Sequence, residues 1–193
     1  MSISEEKSVL RKTLLNKRKA IPNGIWEDLS TLVIENLKAI PQFREAKTIH
    51  VFVSMNERNE VNTHLLIEEL ISSGKKVIVP VTDFSTGTLK HSALPSFDLL
   101  EANKWGVLEP KETVFIDEKP DVILVPLLAA DFDFNRLGYG KGFYDRFLAE
   151  SSAIKIGLVF QEYILNEIPV ERFDQKLDIL VSEKEVFTRN NQK

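Results

Sequence analysis

The chain has 193 residues, of which 43% are hydrophobic and 28% are charged, and its net charge is −4. This length and composition are typical of one globular domain with a substantial core, and we predict a single domain over residues 1–193. The net negative charge argues against a broad nucleic-acid-binding surface, and the absence of cysteine excludes disulfides and thiolate chemistry. The polar start lacks a signal-peptide core, and no apolar run could span a bilayer. We therefore expect a cytoplasmic monomer without a membrane or nucleic-acid partner.

Two helices are predicted before the first strand. Residues 1–21 carry a narrow apolar stripe. Ser2 and Glu5, near the start of this segment, have capping-box spacing. Residues 24–41 carry a wider stripe, which ends at Pro41.

Strands and helices then alternate along the chain. Helices are predicted at residues 61–74 and 143–151, the first closed by Gly74. The predicted strands are residues 48–54, 75–81, 86–94, 120–129, 153–160 and 176–182. This alternation predicts an α/β fold, a three-layer sandwich with a mostly parallel sheet and helices on both faces. The strand at 120–129 is the most apolar, so we place it at the centre of the sheet, whereas residues 92–119 follow no clear period.

The segment RLGYGKGFYDRF, residues 136–147, combines alternating glycines with basic side chains and one acid. Ligands bind beyond the carboxyl ends of parallel strands, and this segment follows the most apolar strand. Glycines let the backbone approach a phosphate closely, Lys141 and Arg136 add positive charge, and Asp145 can hold a divalent metal. The segment therefore fits a phosphate site, although it matches neither common phosphate-binding fingerprint. The alternative is a glycine-rich turn that precedes a solvated helix.

Five separate pieces of the sequence, in order, resemble the 5-formyltetrahydrofolate cyclo-ligase family, also called methenyltetrahydrofolate synthetases. The pieces are KSVLR (7–11), VSMNERNEVNT (53–63), GVLEP (106–110), VPLLAADFDFNRLGYGKGFYD (125–145) and IPVERFDQKLDILVSE (168–183). The resemblance implies a fold related to ribose-5-phosphate isomerases and CoA transferases. It also implies ATP- and Mg²⁺-dependent conversion of 5-formyltetrahydrofolate, with or without a polyglutamate tail, to 5,10-methenyltetrahydrofolate, with release of ADP and phosphate.

The resemblance assigns a role to each matching position. Catalytic stabilisation of the phosphoryl group in transfer falls to Lys141 and Arg136, and Mg²⁺ binding falls to Asp145 and Asp178. The implied ATP contacts are Lys7, Arg11, Arg136, Leu137, Gly138, Tyr139, Gly140, Lys141, Gly142, Phe143 and Tyr144. The implied folate contacts are Val53, Glu60, Tyr139, Gly140, Lys141, Gly142 and Phe143.

The chain departs from the family in places. Many relatives carry Arg or another residue at the position of Tyr139, and Tyr at that of Phe143. Compared with some relatives, this chain also has two extra residues between Ser54 and Glu60.

Several of these residues also have a simpler interpretation from the sequence alone. Lys7 and Arg11 share one helix face, which is equally typical of a solvated basic helix. Asp145 can act as a helix-dipole partner, Glu60 as a neighbour of a helix N-cap, and Asp178 as a surface residue. Phe132 and Phe134 fit either a folate contact or loop packing, and Trp105 is expected to cover the core.

Two other functions remain open at this point. One is a sugar-phosphate isomerase-like enzyme on a related fold, which would need no nucleotide. The other is a folate- or nucleotide-binding module without catalysis, which would bind ligand without releasing ADP.

Overall fold

The computed structural model describes residues 2–103 and 106–189, so Trp105 lies outside the described residues. The helices are α1 (Ile3–Lys19), α2 (Asn23–Ala39), α3 (Pro41–Glu45), α4 (His64–Ser72) and α5 (Phe143–Ala149). The strands are β1 (Thr48–His50), β2 (Lys76–Asp83), β3 (Thr88–Ala93), β4 (Leu100–Ala102), β5 (Leu108–Pro110), β6 (Val122–Val125), β7 (Ala129–Asp131), β8 (Arg136–Leu137), β9 (Ile154–Leu158), β10 (Ile164–Leu165), β11 (Ile179–Val181) and β12 (Val186–Thr188). Short 3-10 helices lie at Asn56–Arg58, Phe97–Leu99 and Gln161–Tyr163.

A seven-stranded sheet in the order β12-β11-β9-β6-β1-β2-β3 forms the centre of the fold. Its five inner strands run parallel, and the edge strands β3 and β12 run antiparallel to their neighbours. The predicted α/β class with a mostly parallel sheet is confirmed. The predicted central strand at 120–129 is central as expected, but it divides into β6 and the separate strand β7.

The direction of the crossovers defines where the layers lie. The connection from β1 through α4 leads to β2 on one side, whereas the connection from β6 through α5 leads to β9 on the other. Because such crossovers are right-handed, helices on connections that run in opposite directions cover opposite faces of the sheet, which gives three layers. The carboxyl ends of β1 and β6 meet at the point of reversal, the usual ligand site of an open α/β sheet.

The ends of the helices follow local sequence signals. The Ser2 hydroxyl accepts the Glu5 N–H at 3.3 Å, and the Glu5 carboxylate accepts the Ser2 N–H at 2.8 Å, so the predicted capping box is formed. Pro41 follows the end of α2, as predicted, and also opens the short helix α3. Gly74 lies just beyond α4 with φ of +79°, which is the expected closing conformation. In the described parts of the chain, each helix is too short or too polar to cross a membrane.

The packing of β9 between β6 and β11 depends on the absence of a side chain at Gly157. A Cβ atom there would lie 2.5 Å from Leu177 Cδ1 and 3.2 Å from the methyl groups of Leu127 and Leu180. These leucines are buried, with at most 3% of their surface exposed, so their side chains have little room to move.

We expect Gly157→Ala to lower the free energy of unfolding by about 1–3 kcal/mol, because one added methyl group overpacks this layer. The measurement is chemical denaturation followed by circular dichroism. Gly24→Ala is the matched control, since a Cβ at Gly24, in the first turn of α2, meets no atom within 4 Å. Equal stability of the two variants would show that the leucine layer adapts without cost.

A pair of histidines lies beneath α5. His50 of β1 is buried, and its Nε2 lies 3.1 Å from Nδ1 of His91 on β3. Both rings contact Phe147 of α5, at centroid distances of 4.8 and 4.2 Å. Burial, assisted by His91, lowers the pKa of His50 well below its usual range, and burial also lowers the pKa of His91. The fold therefore holds both rings in their neutral form.

This pair predicts a loss of stability on mild acidification. A histidine whose pKa is lower in the folded state binds its proton more readily after unfolding, so its favourable contribution is present above about pH 6.5 and falls as the pH drops below that value. We expect the free energy of unfolding to decrease between pH 7.5 and pH 5, and His50→Asn to flatten this slope. An unchanged slope in His50→Asn would assign the acid sensitivity to other groups.

Candidate active site

A cavity of about 940 Å³ opens where β1 and β6 end. It lies between α1 and the loop 138–142, and the β2–β3 and β4–β5 hairpins contribute to its walls. This volume is at the upper end of the range for small-molecule sites.

One wall of the cavity is basic. Lys7 and Arg11, which share a face of α1, both line it, and Lys12 and Lys19 extend the positive charge along the same helix. Lys7 is only 3% exposed, so it is not part of a solvated basic surface. Lys7 and Arg11 therefore face one space, and Lys12 and Lys19, which the sequence analysis did not single out, face it too.

The glycines of loop 138–142 allow α1 to approach this loop closely. Arg11 Nε donates a hydrogen bond to the Gly138 carbonyl at 2.9 Å. Gly140 has φ of +89°, and a Cβ there would lie 3.0 Å from the Arg11 guanidinium carbon. Gly142 has φ of +68°, and its Cβ would lie 3.0 Å from Arg146 Nη1. The positive φ favours glycine at both positions, and any side chain there would also have to displace a guanidinium group by a few tenths of an ångström.

Arg136 and Asp145 form an ion pair at the edge of the cavity. Arg136 is 6% exposed, and its Nη2 lies 2.7 Å from Asp145 Oδ1, while its Nη1 donates to the Gln175 carbonyl. The Gln175 N–H donates to the same Asp145 oxygen at 3.2 Å. Among the described residues, the buried Arg136 Nε has no hydrogen-bond partner.

Two acids that the sequence did not point to also line the cavity. Lys7 Nζ pairs with Glu171 at 2.8 Å and also contacts the Asp174 carboxylate. Both acids lie in the piece 168–183 on which part of the family resemblance was based. These acids lie 164 and 167 residues from Lys7 along the chain, so no local sequence pattern could predict the contact.

Asp178 lies away from the cavity, at the amino end of β11. Its Oδ2 accepts the Lys155 N–H at 2.9 Å, and its Oδ1 pairs with Arg189 at 2.9 Å. The cavity lining contains Asp145 but not Asp178. Nor do the described residues contain a group of three or more histidine, aspartate or glutamate side chains placed to hold a metal ion. The two aspartates that the resemblance assigns to Mg²⁺ are therefore not brought together.

Glu60 is the buried acid at the opposite end of the cavity. It is 3% exposed, its Oε2 accepts the Met55 N–H at 2.6 Å, and its Oε1 accepts the Tyr139 hydroxyl hydrogen. Trp26 of α2 donates from Nε1 to the Glu60 carbonyl at 2.6 Å. Burial raises the pKa of Glu60, opposed chiefly by the positive charge of Arg18. The residues between Ser54 and Glu60 are thus folded around the carboxylate.

Apolar side chains cover the remaining surface of the cavity. Val53 follows β1, and Phe84 of the β2–β3 turn meets Phe143 edge to face at 5.8 Å. Phe132 and Phe134, for which the sequence left two interpretations, pack elsewhere. Phe132 meets Phe187 edge to face at 5.8 Å, and Phe134 packs against the core.

The side chains that line the cavity fit an anionic polyphosphate near α1. Basic groups and glycine backbone are features that suit phosphate oxygens. A divalent cation that accompanies the phosphates would find the Asp145 carboxylate beside them. A flat, largely apolar molecule with N–H groups fits the other end, near Glu60 and the apolar wall.

Comparison with known proteins identifies the family. The model of the 5-formyltetrahydrofolate cyclo-ligase family matches residues 3–183. The 5-formyltetrahydrofolate cyclo-ligase of Mus musculus is 29% identical and aligned over 95% of this chain and 96% of its own length. That of Escherichia coli K12 is 30% identical over 89% of this chain and 97% of its own length. The structure of Aquifex aeolicus 5,10-methenyltetrahydrofolate synthetase is 30% identical and superposes with a TM-score of 0.84, covering 97% of this chain and 94% of that protein. The chain belongs to the 5-formyltetrahydrofolate cyclo-ligase family.

Proposed function

We propose that this protein converts 5-formyltetrahydrofolate to 5,10-methenyltetrahydrofolate in the cytoplasm, with consumption of ATP and release of ADP and phosphate. The observation that carries the proposal is a single cavity with a basic, glycine-lined end and a carboxylate at the other end. Such a cavity can hold a polyphosphate and a folate side by side. The names of the family and of its relatives support the same reaction.

The reaction needs an activated oxygen. The N5-formyl oxygen is a poor leaving group, and it becomes a good one when it attacks the γ-phosphorus of ATP and displaces ADP. N10 then attacks the formyl carbon, loses its proton and closes the five-membered ring, and phosphate departs with the former formyl oxygen. In this scheme the protein has mainly to position the two substrates and to neutralise phosphate charge.

The basic end of the cavity supplies this charge. Lys141 is exposed at the loop, where its ammonium can follow the transferred phosphoryl group. Lys7, Arg11 and Arg136 are held by fixed partners and bind the remaining phosphate oxygens. Mg²⁺ carried with ATP would lie at Asp145 and neutralise phosphate charge. The position of Asp178, with both carboxylate oxygens already engaged, does not support its assignment to the same ion.

The acidic end of the cavity recognises the folate. A carboxylate has about four acceptor positions, and protein donors occupy one on each Glu60 oxygen. The two that remain suit the adjacent N–H groups of a pterin ring. Val53, Phe84 and Phe143 provide apolar surface for the rings of the substrate.

An absorbance assay tests the proposed reaction. Purified protein is mixed with 5-formyltetrahydrofolate and Mg²⁺, with and without ATP, and the near-ultraviolet band of the methenyl product is followed. We expect a rise only with ATP. Binding of both ligands without a rise would favour a non-catalytic module, and ATP-independent turnover of a sugar phosphate would favour the isomerase-like alternative.

Replacement of Lys141 tests the phosphoryl-transfer role. We expect Lys141→Ala to lower kcat by about 100-fold, the usual scale for loss of one group that stabilises transition-state charge, with the KM for folate nearly unchanged. Lys119→Ala, which removes an exposed lysine outside the cavity lining, is the control. A change confined to the folate KM would instead make Lys141 a substrate-binding residue.

A further inference from the structure

Arg18 is a buried arginine behind the wall of the cavity. It is 4% exposed and is absent from the cavity lining. Its guanidinium donates to the carbonyls of Arg58 at 2.8 Å and Leu127 at 2.9 Å, and to the Tyr139 hydroxyl. A buried positive charge is costly unless an opposite charge lies nearby. For Arg18 that charge is Glu60, whose Oε1 lies 4.0 Å from Nη2.

Tyr139 links this cation to the carboxylate. Its hydroxyl accepts the hydrogen bond from Arg18 and donates its own hydrogen to Glu60 Oε1. The guanidinium groups of Arg18 and Arg58 lie 5.8 and 5.3 Å from the centre of its ring. Burial raises the pKa of Tyr139 far above its usual range, so the phenol is a neutral donor at any pH of interest. Arg18 therefore orients the Tyr139 hydroxyl, and this hydroxyl in turn orients the Glu60 carboxylate.

The charged and titratable groups that face Glu60 come from four elements. They are Arg18 of α1, Arg58 of the 3-10 helix, Tyr139 of the glycine loop and Tyr144 of α5. Burial acts to protonate the carboxylate, whereas Arg18, the Tyr139 hydroxyl and the Met55 N–H act to keep it charged. An ionised Glu60 can accept two further hydrogen bonds, whereas a protonated one carries a donor hydrogen in place of one of these acceptor positions.

We propose that Arg18 and Tyr139 are positioning residues for the folate substrate, which hold the Glu60 carboxylate as an anion in one fixed orientation. The identity of the ligand rests on the proposed function. The same anion offers acceptor oxygens to an N–H edge of the substrate. Arg18 thus contributes to recognition without contact with either substrate.

The test is isothermal titration calorimetry with two separate probes, 5-formyltetrahydrofolate and Mg·ADP. Tyr139→Phe removes the hydroxyl and retains the ring. We expect it to weaken folate binding about tenfold at pH 7.5, the scale of one hydrogen bond to a charged group, and to leave Mg·ADP binding within about twofold. The loss should be larger at pH 6, because Glu60 without the phenol protonates at a higher pH.

A double-variant cycle separates recognition from packing. Glu60→Gln removes the charge and nearly keeps the shape, so Tyr139→Phe should cost less than about twofold in that background. Tyr163→Phe is the matched control: its hydroxyl is buried without a hydrogen-bond partner in the described part of the chain, and it lies outside the cavity lining. We expect it to bind both probes as the wild type does. Arg18→Lys keeps the charge but cannot reach three acceptors, and it should also weaken folate binding selectively.

Several outcomes would overturn the inference. Equal losses of affinity for folate and Mg·ADP in Tyr139→Phe would show that Arg18 and Tyr139 have only a structural role. An undiminished loss of folate affinity when Tyr139→Phe is added to Glu60→Gln would show the same. Should Arg18→Lys fail to fold, Tyr139→Phe still decides. The proposed function alone would be wrong if the wild type binds folate in the way described but forms no methenyl product. A wild type that does not bind 5-formyltetrahydrofolate would overturn both.

Discussion

The contact between α1 and the glycine loop is the interaction on which the cavity depends. Of the residues of α1, only Lys7, Leu14 and Arg18 are buried, so apolar burial contributes little to holding this helix. Polar side chains hold it instead: Lys7 reaches the segment 171–174, and Arg11 reaches the loop at Gly138. A Cβ at Gly140 would lie 3.0 Å from the Arg11 guanidinium carbon, so the absence of a side chain there lets Arg11 lie close to the loop. The contacts that hold α1 are therefore largely ionic, and the proposed ligands are also charged.

The cavity separates charge along its length. The side chains of α1 and Lys141 give one end several positive charges, whereas the other end holds the buried Glu60 carboxylate beside Arg18 and Arg58. This arrangement follows from the topology, since β1 leads to Glu60 and β6 leads to the glycine loop, and the two strands are neighbours. Adjacent parallel strands thus bring two sequence segments 79 residues apart into one site.

Much of the fold could be predicted because its signals are local. The Ser2–Glu5 cap, the proline at the end of α2, Gly74 and the apolar run of β6 each depend on a few neighbouring residues. The strands β7, β8 and β10 were not predicted as a separate sheet, since strands of two or three residues show no period. The glycine loop was recognised from its own residues. Its direct contacts with Arg11 and Arg18 were not predicted, because a contact over more than a hundred residues leaves no trace in spacing.

The family resemblance identified residues but not their surroundings. It pointed to Glu60, whose hydrogen bonds to Tyr139 and the Met55 N–H only the structure provides. It also pointed to Asp178, which the register of β11 with β9 places at the amino end of the sheet, where Lys155 and Arg189 engage it. A matching position in the family gives the type of side chain. The role of that side chain also depends on the groups that surround it in the fold.

The proposed reaction requires the formyl oxygen to meet the γ-phosphate inside one cavity. The most direct measurement uses 5-formyltetrahydrofolate labelled with ¹⁸O in the formyl group, turned over with ATP in unlabelled water, followed by mass spectrometry of the released phosphate. We expect one ¹⁸O atom in each phosphate formed. Unlabelled phosphate would show that water, rather than the substrate oxygen, attacks the nucleotide, and the proposed reaction would then be wrong.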